Sequence, residues 1–341
     1  MSGAPSAFPA LPNNFDLLRI FLAYAVVVYH SCYLTGHENL VPGSVAGVAV
    51  GGFFVISGFL LTWSLHRNPD LRAFAIKRFF RIYPLYALVI VAQALVLTLE
   101  AAARGGVSPA EVGRYLGANL VFANFLQPSI GPTLSGLKLD AINGSAWTLK
   151  VEIACYVALP AVLALQRRAG VGATAVLAIG LGAYPLIAAA VHQPAPGEVY
   201  LGLACFFLVG SLLYHWGARL MRYDAWFLVL GVLGAPLVLI GSPTIMRMPI
   251  VAQLLVAGWV FAVAFARPKV AVDHDVSYGA YLLHFPLIQL GLIHHLVPTD
   301  SAPLTVLVVV MATTALAWAS FHRLERPMIR LGHRLARRRG G

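Results

Sequence analysis

"RIFLAYAVVVYH", residues 19–30, begins with arginine, ends with histidine and is almost wholly apolar between them. In an α-helix the eleven-residue step from Arg19 to His30 turns the chain about 1100°, roughly 20° past three full circles. The two polar side chains therefore share one helix face, about 16 Å apart along the axis. Each has a plain explanation alone: Arg19 as a membrane boundary, His30 as a satisfied polar group between helices. The shared face makes a common purpose the more economical reading. With its flanks the stretch forms a segment over 15–34, long enough to cross the hydrocarbon of a bilayer.

Working outward, the whole chain has the same character. Of its 341 residues, 59% are hydrophobic and only 11% charged, against about a quarter charged in soluble chains. Ten spans are expected, near 15–34, 43–65, 83–103, 146–165, 171–191, 199–215, 224–241, 249–266, 277–296 and 303–321. The fold class is all-α, a polytopic integral membrane protein of about ten transmembrane helices. With no internal repeat or linker, residues 1–341 read as a single membrane-embedded domain, with a short N-terminal segment 1–14 and a basic tail 322–341. The opening MSGAPSAFPALPNN lacks the basic start of a secretory signal, so the first apolar segment is expected to stay as a membrane helix.

The net charge of +11 does not point to nucleic acid, because of where it lies. With the N-terminus inside, the inner loops and tail hold 18 Lys and Arg residues; the outer loops hold only Arg104, Arg114, Lys138 and Arg247. That asymmetry predicts cytoplasmic N- and C-termini. The tail RLGHRLARRRGG reads as a topology signal or an anionic-lipid contact. A reporter fused after Gly341, or placed in the 66–82 loop, should be cytoplasmic, and one in the 104–145 segment external. An external signal at Gly341 would invert the orientation.

Cys32, Cys155 and Cys205 fall inside expected spans and match neither a disulfide framework nor a zinc site. The largest connection, about 104–145, opens with SPAE (Ser108–Glu111), a capping box with proline at the first helical position. A helix of about 18 residues is expected from there to about Gln127, lying at the interface or dipping into the membrane. An outer segment of this size suits a lid. Three patterns are set aside. HLVPTD (His295–Asp300) sits on a short outer loop, GVGATA (Gly170–Ala175) has no preceding strand, and DHD (Asp273–Asp275) reads as a solvated loop.

Chemistry-bearing residues recur at the span ends. GGFFVISGFLL (51–61) places Gly51, Gly52, Ser57 and Gly58 where helices pack closely. AIKRFFRIYPLY carries Arg78 and Arg81 three apart beside aromatics, at a membrane entrance where topology also favours cations; the pair suits a phosphate clamp. SAWTLKVEIACYVALP puts Glu152 about six residues inside the outer surface, where a carboxylate is costly and usually functional. Lys150 points elsewhere and can snorkel. His30 lies at similar depth, so a His30–Glu152 contact is expected to be within reach. SYGAYLLHFP sets Tyr281 and His284 three apart on one face, and His284 reads equally as packing or function.

Together these stretches resemble the acyltransferase 3 family of integral membrane O-acyltransferases. The resemblance rests on Arg19 with ten residues before His30, FFVISG (Phe53–Gly58), RFFR (Arg78–Arg81), WTLKVE (Trp147–Glu152), SYGAYLLH (Ser277–His284) and ERP (Glu325–Pro327), in family order along essentially the whole chain. It implies an acyl group, commonly acetyl, taken from acyl-coenzyme A on the cytoplasmic side of a bacterial inner membrane. The acceptor it implies is a hydroxyl of a glycan or other small molecule. Acyl-CoA is then a cosubstrate, with no tightly bound cofactor and no metal expected, and the partners are donor, acceptor and lipid bilayer. His30 would be the base, with Glu152 orienting it or holding the acceptor and Arg19 on the donor or the developing charge. Arg78, Arg81 and Ser57 fall to donor binding, and Trp147, Tyr281 and His284 to the acceptor pocket. Two rival classes predict other behaviour. A proton-coupled transporter would use buried His, Glu and Arg without consuming thioester. A structural scaffold would tolerate replacement of His30 and Glu152.

Overall fold

A computed structural model describes residues 13–220 and 249–337, and every regular element among these is helical. In chain order the helices are α1 (Phe15–Leu34), α2 (Gly43–Arg67), α3 (Leu71–Ala103), α4 (Pro109–Leu120), α5 (Trp147–Ala169), α6 (Val171–Ala190), α7 (Glu198–Leu220), α8 (Pro249–Phe265), α9 (Ser277–Ile293), α10 (Ala302–Ser320) and α11 (Arg326–Arg337). One π-helical turn, Phe321–Glu325, joins the last two without a break. Among the described residues, seven helices are long and apolar enough to cross a bilayer: α1, α2, α3, α5, α6, the Glu198–Trp216 part of α7, and the continuous run Ala302–Arg337. The chain is a multi-pass membrane protein. The expected span at 224–241 lies outside the described residues, as do Arg222, Arg247, Arg338 and Arg339.

Two elements depart from the sequence expectation for local reasons. Helix α3 starts at Leu71, twelve residues before the apolar run. Asp70 caps it, accepting from the amides of Arg72 and Ala73 at 2.9 and 3.0 Å. The cations of KRFFR lower hydropathy but not helix propensity, so the helix simply extends beyond its apolar part. Helix α4 stops at Leu120 instead of running to Gln127. Phe122 adopts φ 64° and stacks on Tyr86 with ring centroids 4.2 Å apart. A left-handed residue ends the helical path.

The chain clusters into two compact units, one within Met1–Leu22, Ser44–Pro69 and Ile153–Asp273, the other within Ala23–Gly43, Asp70–Glu152 and His274–Gly341. In the first, α2 and α7 meet backbone to backbone. A Cβ at Gly58 would lie 1.9 Å from the Phe207 carbonyl oxygen, and one at Gly210 would lie 2.1 Å from that of Val55. Thr62 Oγ1 donates to Ser211 Oγ at 2.8 Å just beyond the crossing. Glycine at 58 thus meets the close-packing requirement of apposed membrane helices. Gly58→Ala should lower stability by about 1–3 kcal/mol through overpacking, read as a drop in the thermal midpoint in detergent. At the end of α8, Asn14 Nδ2 donates to the carbonyls of Val263, Ala266 and Pro268, supplying partners that a helix terminus lacks.

In the second unit, α3 is covered by α4 and the segment that follows it. Tyr86, Tyr115, Ile130, Leu134 and Ile142 are all fully buried there. Tyr86 Oη donates to the Asn119 carbonyl at 2.6 Å and Tyr115 Oη to Gln93 Oε1 at 3.0 Å. Ser108 does cap α4, but Glu111 Oε1 accepts from the Gly131 amide at 2.6 Å and so ties the following turn down. Lys138 Nζ reaches Glu38 Oε2 at 2.7 Å and holds that carboxyl below its usual range. The 104–145 segment, expected to suit a lid, is a packed wall pinned along its length.

Candidate active site

The centre of the second unit is built on α9, and its shape follows from Pro286. Proline has no amide hydrogen, so the carbonyl four residues earlier, that of Leu282, loses its helical donor. Asn143 Nδ2 replaces it at 3.0 Å. Ser145 Oγ bonds Asn143 Oδ1 at 2.7 Å and the Tyr281 carbonyl at 3.2 Å. Gly144 sits so close to Phe285 that a Cβ would lie 2.5 Å from its ring. One turn on, the fully buried Gln289 donates through Nε2 to the carbonyls of Leu139 and Ala141 at 2.8 and 2.9 Å. The turn-rich AINGS thus clips the loop onto the irregular face of α9 just before α5 begins.

On that scaffold His284 is wholly buried, while His30 on α1 is half-buried. The imidazoles stack with centroids 5.1 Å apart and 18° between planes, and His30 Nδ1 lies 2.9 Å from His284 Nε2. His284 Nδ1 lies 3.0 Å from the Ala280 carbonyl, which can only accept. His284 therefore carries its proton on Nδ1. With both rings neutral, its Nε2 is an acceptor, and His30 must donate from Nδ1. The chain of bonds leaves His30 Nε2 as the nitrogen with a lone pair. The sequence left a His30–Glu152 contact within reach; the structure sets a second histidine, His284, against His30.

Tyr281, one turn before His284, is buried with its Oη 2.8 Å from Thr148 Oγ1 and 3.2 Å from the Ser145 carbonyl, to which it donates. Thr148 and Glu152 share a face of α5, being four residues apart. The half-buried Glu152 carboxylate acts electrostatically on the hydroxyls of both Tyr278 and Tyr281. Trp147 opens the same helix, half-buried, and Lys150 turns away to sit 4.5 Å over the Phe125 ring. His30, Glu152, Trp147, Tyr281 and His284 thus all belong to this unit. Arg19 and Ser57 belong to the other, where Arg19 Nη1 bonds Asp16 Oδ1 at 2.7 Å.

Arg78 and Arg81 also lie in the second unit. Arg81 Nη2 pairs with Asp275 Oδ2 at 2.6 Å, Nη1 stands 3.8 Å from Glu325 Oε2, and the guanidinium lies 6.0 Å from the Tyr278 ring centroid. Asp275 Oδ1 in turn accepts from Ser277 at the start of α9, and Ser320 Oγ donates to Glu325 Oε1 at 2.8 Å. A π-helical turn carries one extra residue within its hydrogen-bonded loop, and the one at Phe321–Glu325 ends on the buried Glu325. Asp275, set aside as part of a solvated DHD loop, is instead a partly buried ion-pair partner. RFFR, SYGAY and ERP, far apart in sequence, converge on this one cluster. Thr148, Asn143, Ser145, Asp275 and Glu325 escaped the sequence reading as site residues. The proline two residues after His284 was the available signal for the first group, since a kinked helix needs outside donors.

Compared with known families, residues 13–322 match the model of an acyltransferase domain, acyltransferase 3. The chain belongs to the acyltransferase 3 family. Among relatives of this acyltransferase, nodulation protein 10 of Rhizobium leguminosarum bv. viciae is 27% identical, with 96% of each chain covered. Exopolysaccharide production protein ExoZ of Rhizobium meliloti is 28% identical over 90% of this chain and 95% of its own. An O-acetyl transferase of Shigella phage Sf6 is 30% identical over 42% of this acyltransferase and 44% of the phage protein. No solved structure matches the acyltransferase.

Proposed function

We propose that this membrane acyltransferase moves an acyl group, most simply acetyl, from acyl-coenzyme A to a hydroxyl of a glycan or other small acceptor in a bacterial inner membrane. The observation that carries the reading is the His30–His284 pair, whose hydrogen-bond order leaves His30 Nε2 able to accept a proton. On this reading the acceptor oxygen attacks the thioester carbonyl while His30 Nε2 takes its proton. The carbon–sulfur bond then breaks and the leaving thiolate is protonated from the His30 imidazolium. His284 fixes the tautomer and plane of His30, as the partner of a catalytic imidazole does. Glu152, with Tyr281 and Trp147, orients the acceptor, and its negative charge favours the imidazolium formed in transit. Arg19, eleven residues before His30 on the same helix face, is the donor-side group, and Arg78 and Ser57 are assigned to the donor, while Arg81 serves to hold Asp275 and Glu325. Residues 1–341 act as one catalytic domain.

The names of two relatives support this reading: an exopolysaccharide production protein favours a saccharide acceptor, and an O-acetyl transferase favours an acetyl group. The test is thiol release. Purified protein given acetyl-coenzyme A and an acceptor oligosaccharide should release free thiol in proportion to acetylated product. A carrier would release none, and that result would sink the enzymatic reading.

A further inference from the structure

Beside the two imidazoles, α1 carries a row of side chains that the reaction above does not use. Tyr29 adjoins His30, with ring centroids 5.1 Å apart, and Tyr33 follows about one turn later. The two tyrosine rings are stacked, 17° from parallel with centroids 5.6 Å apart. Lys138 Nζ lies 4.2 Å from the Tyr33 ring centroid and 2.7 Å from Glu38 Oε2, so rings, ammonium and carboxylate form one continuous step. The charges of that ion pair act on the Tyr29 hydroxyl as well. Lys138 is held in register by its neighbour. The Leu139 carbonyl accepts from Gln289 Nε2, and Leu139 and Tyr33 both pack against the cluster that holds Phe285 and Ile288. All of these residues belong to the unit that contains His30.

Tyr29, His30 and Tyr33 are partly exposed, whereas Val26, Val27, Ser31 and Cys32 are buried, so one side of α1 is open at the histidine. The side chains of Lys138 and Glu38 are 30% and 47% exposed. An ammonium and a carboxylate so open to their surroundings are costly in hydrocarbon, so this side of α1 meets water and not lipid. We infer that Tyr29, Tyr33, Lys138 and Glu38 form a subsite for a neutral sugar ring next to the one acylated, which makes the acceptor an oligosaccharide or the end of a polysaccharide. A pyranose has apolar C–H faces and a rim of hydroxyls that both donate and accept. Flat aromatic rings match the faces; the ammonium donates to the rim and the carboxylate accepts from it. The ion pair carries no net charge to attract an acidic sugar. Order along α1 sets the order of binding. The reacting hydroxyl lies at His30, and the next ring extends over Tyr29 and Tyr33, which share a helix face four residues apart. The subsite rests on the proposed reaction for the identity of the acylated sugar, but none of its four residues takes part in that reaction.

The experiment uses full-length protein in nanodiscs and two probe pairs: methyl β-glucoside with cellotriose, and methyl β-galactoside with the matching galactose trisaccharide. Equilibrium binding is measured by calorimetry without donor, and thiol release with acetyl-coenzyme A. In at least one pair the trisaccharide should bind about tenfold more tightly than the monosaccharide, which is what stacking on one aromatic ring is worth. Tyr33→Ala should erase that advantage, raising KM for the trisaccharide with kcat held and KM for the monosaccharide unchanged. Tyr33→Trp, which keeps a flat ring, should preserve it. A tyrosine that only anchored α1 would lower the thermal midpoint and affect both sugars alike, and that result would overturn the subsite. So would a trisaccharide advantage that survives both Tyr29→Ala and Tyr33→Ala, or no advantage in wild type with either pair. If Tyr33→Ala does not fold, Tyr33→Leu fills the space without a ring and gives the same reading. A uronate-bearing trisaccharide that binds better than the neutral one would overturn the neutral assignment. Trisaccharide binding without thiol release would defeat the proposed reaction and leave the subsite intact; thiol release that is equal for both members of each pair does the reverse.

Discussion

His30→Gln is expected to abolish acyl transfer while leaving the protein folded and inserted. Glutamine nearly fills the imidazole's space, and its amide can still donate to His284 Nε2, which here lies 2.9 Å from His30 Nδ1. What it lacks is a basic nitrogen at the far end. Loss of a general base typically costs about 10²–10⁴-fold in rate, so turnover per folded molecule should fall by that factor with little change in thermal midpoint. A packing role predicts the opposite, with glutamine tolerated and any loss in His30→Ala following stability. Near-normal turnover by His30→Gln would remove the base assignment.

Arg81→Ala should act on stability. The Glu325 side chain is 1% exposed and that of Asp275 15%. Deleting the guanidinium takes away the cation that faces the buried Glu325 carboxylate. Breaking a buried pair from one side costs about 3–5 kcal/mol, most of it expected here because little water reaches Glu325. Adding Glu325→Gln to Arg81→Ala should restore part of the loss, and the double-mutant cycle isolates the coupling. If Arg81→Ala instead keeps its thermal midpoint and raises the donor concentration needed for turnover, Arg81 serves the donor and the network is incidental.

Hydropathy made the membrane class legible because a span is a local property of about twenty consecutive residues. The bounds of α1, α2 and α5 accordingly fall within a few residues of expectation. The same measure cut α3 short, since Lys77, Arg78 and Arg81 belong to the helix but not to its apolar part. Residues of the site were legible one at a time: His30, Glu152, Tyr281 and His284 stood out as polar groups in apolar helices. Their pairing was not. That His30 meets His284 depends on how α1 and α9 pack, which no spacing within either helix encodes. Asp275, read as part of a solvated loop, and Glu325, quoted only as part of ERP, were not placed in the site because only the fold sets them both against Arg81.

The hydrogen bonds that join the loop before α5 to α9, from Asn143 and Ser145 to α9 carbonyls and from Gln289 of α9 to loop carbonyls, have a practical corollary for protein engineering. Chimeras that exchange the 104–145 connection with that of another relative should place the downstream joint before Leu139. Residues 139–145 travel with α9 as one cassette, because a foreign loop would strand the Leu282 carbonyl and Gln289 amide. Loops grafted over 105–138 leave those hydrogen bonds in place; grafts that run through 145 test only whether the protein survives.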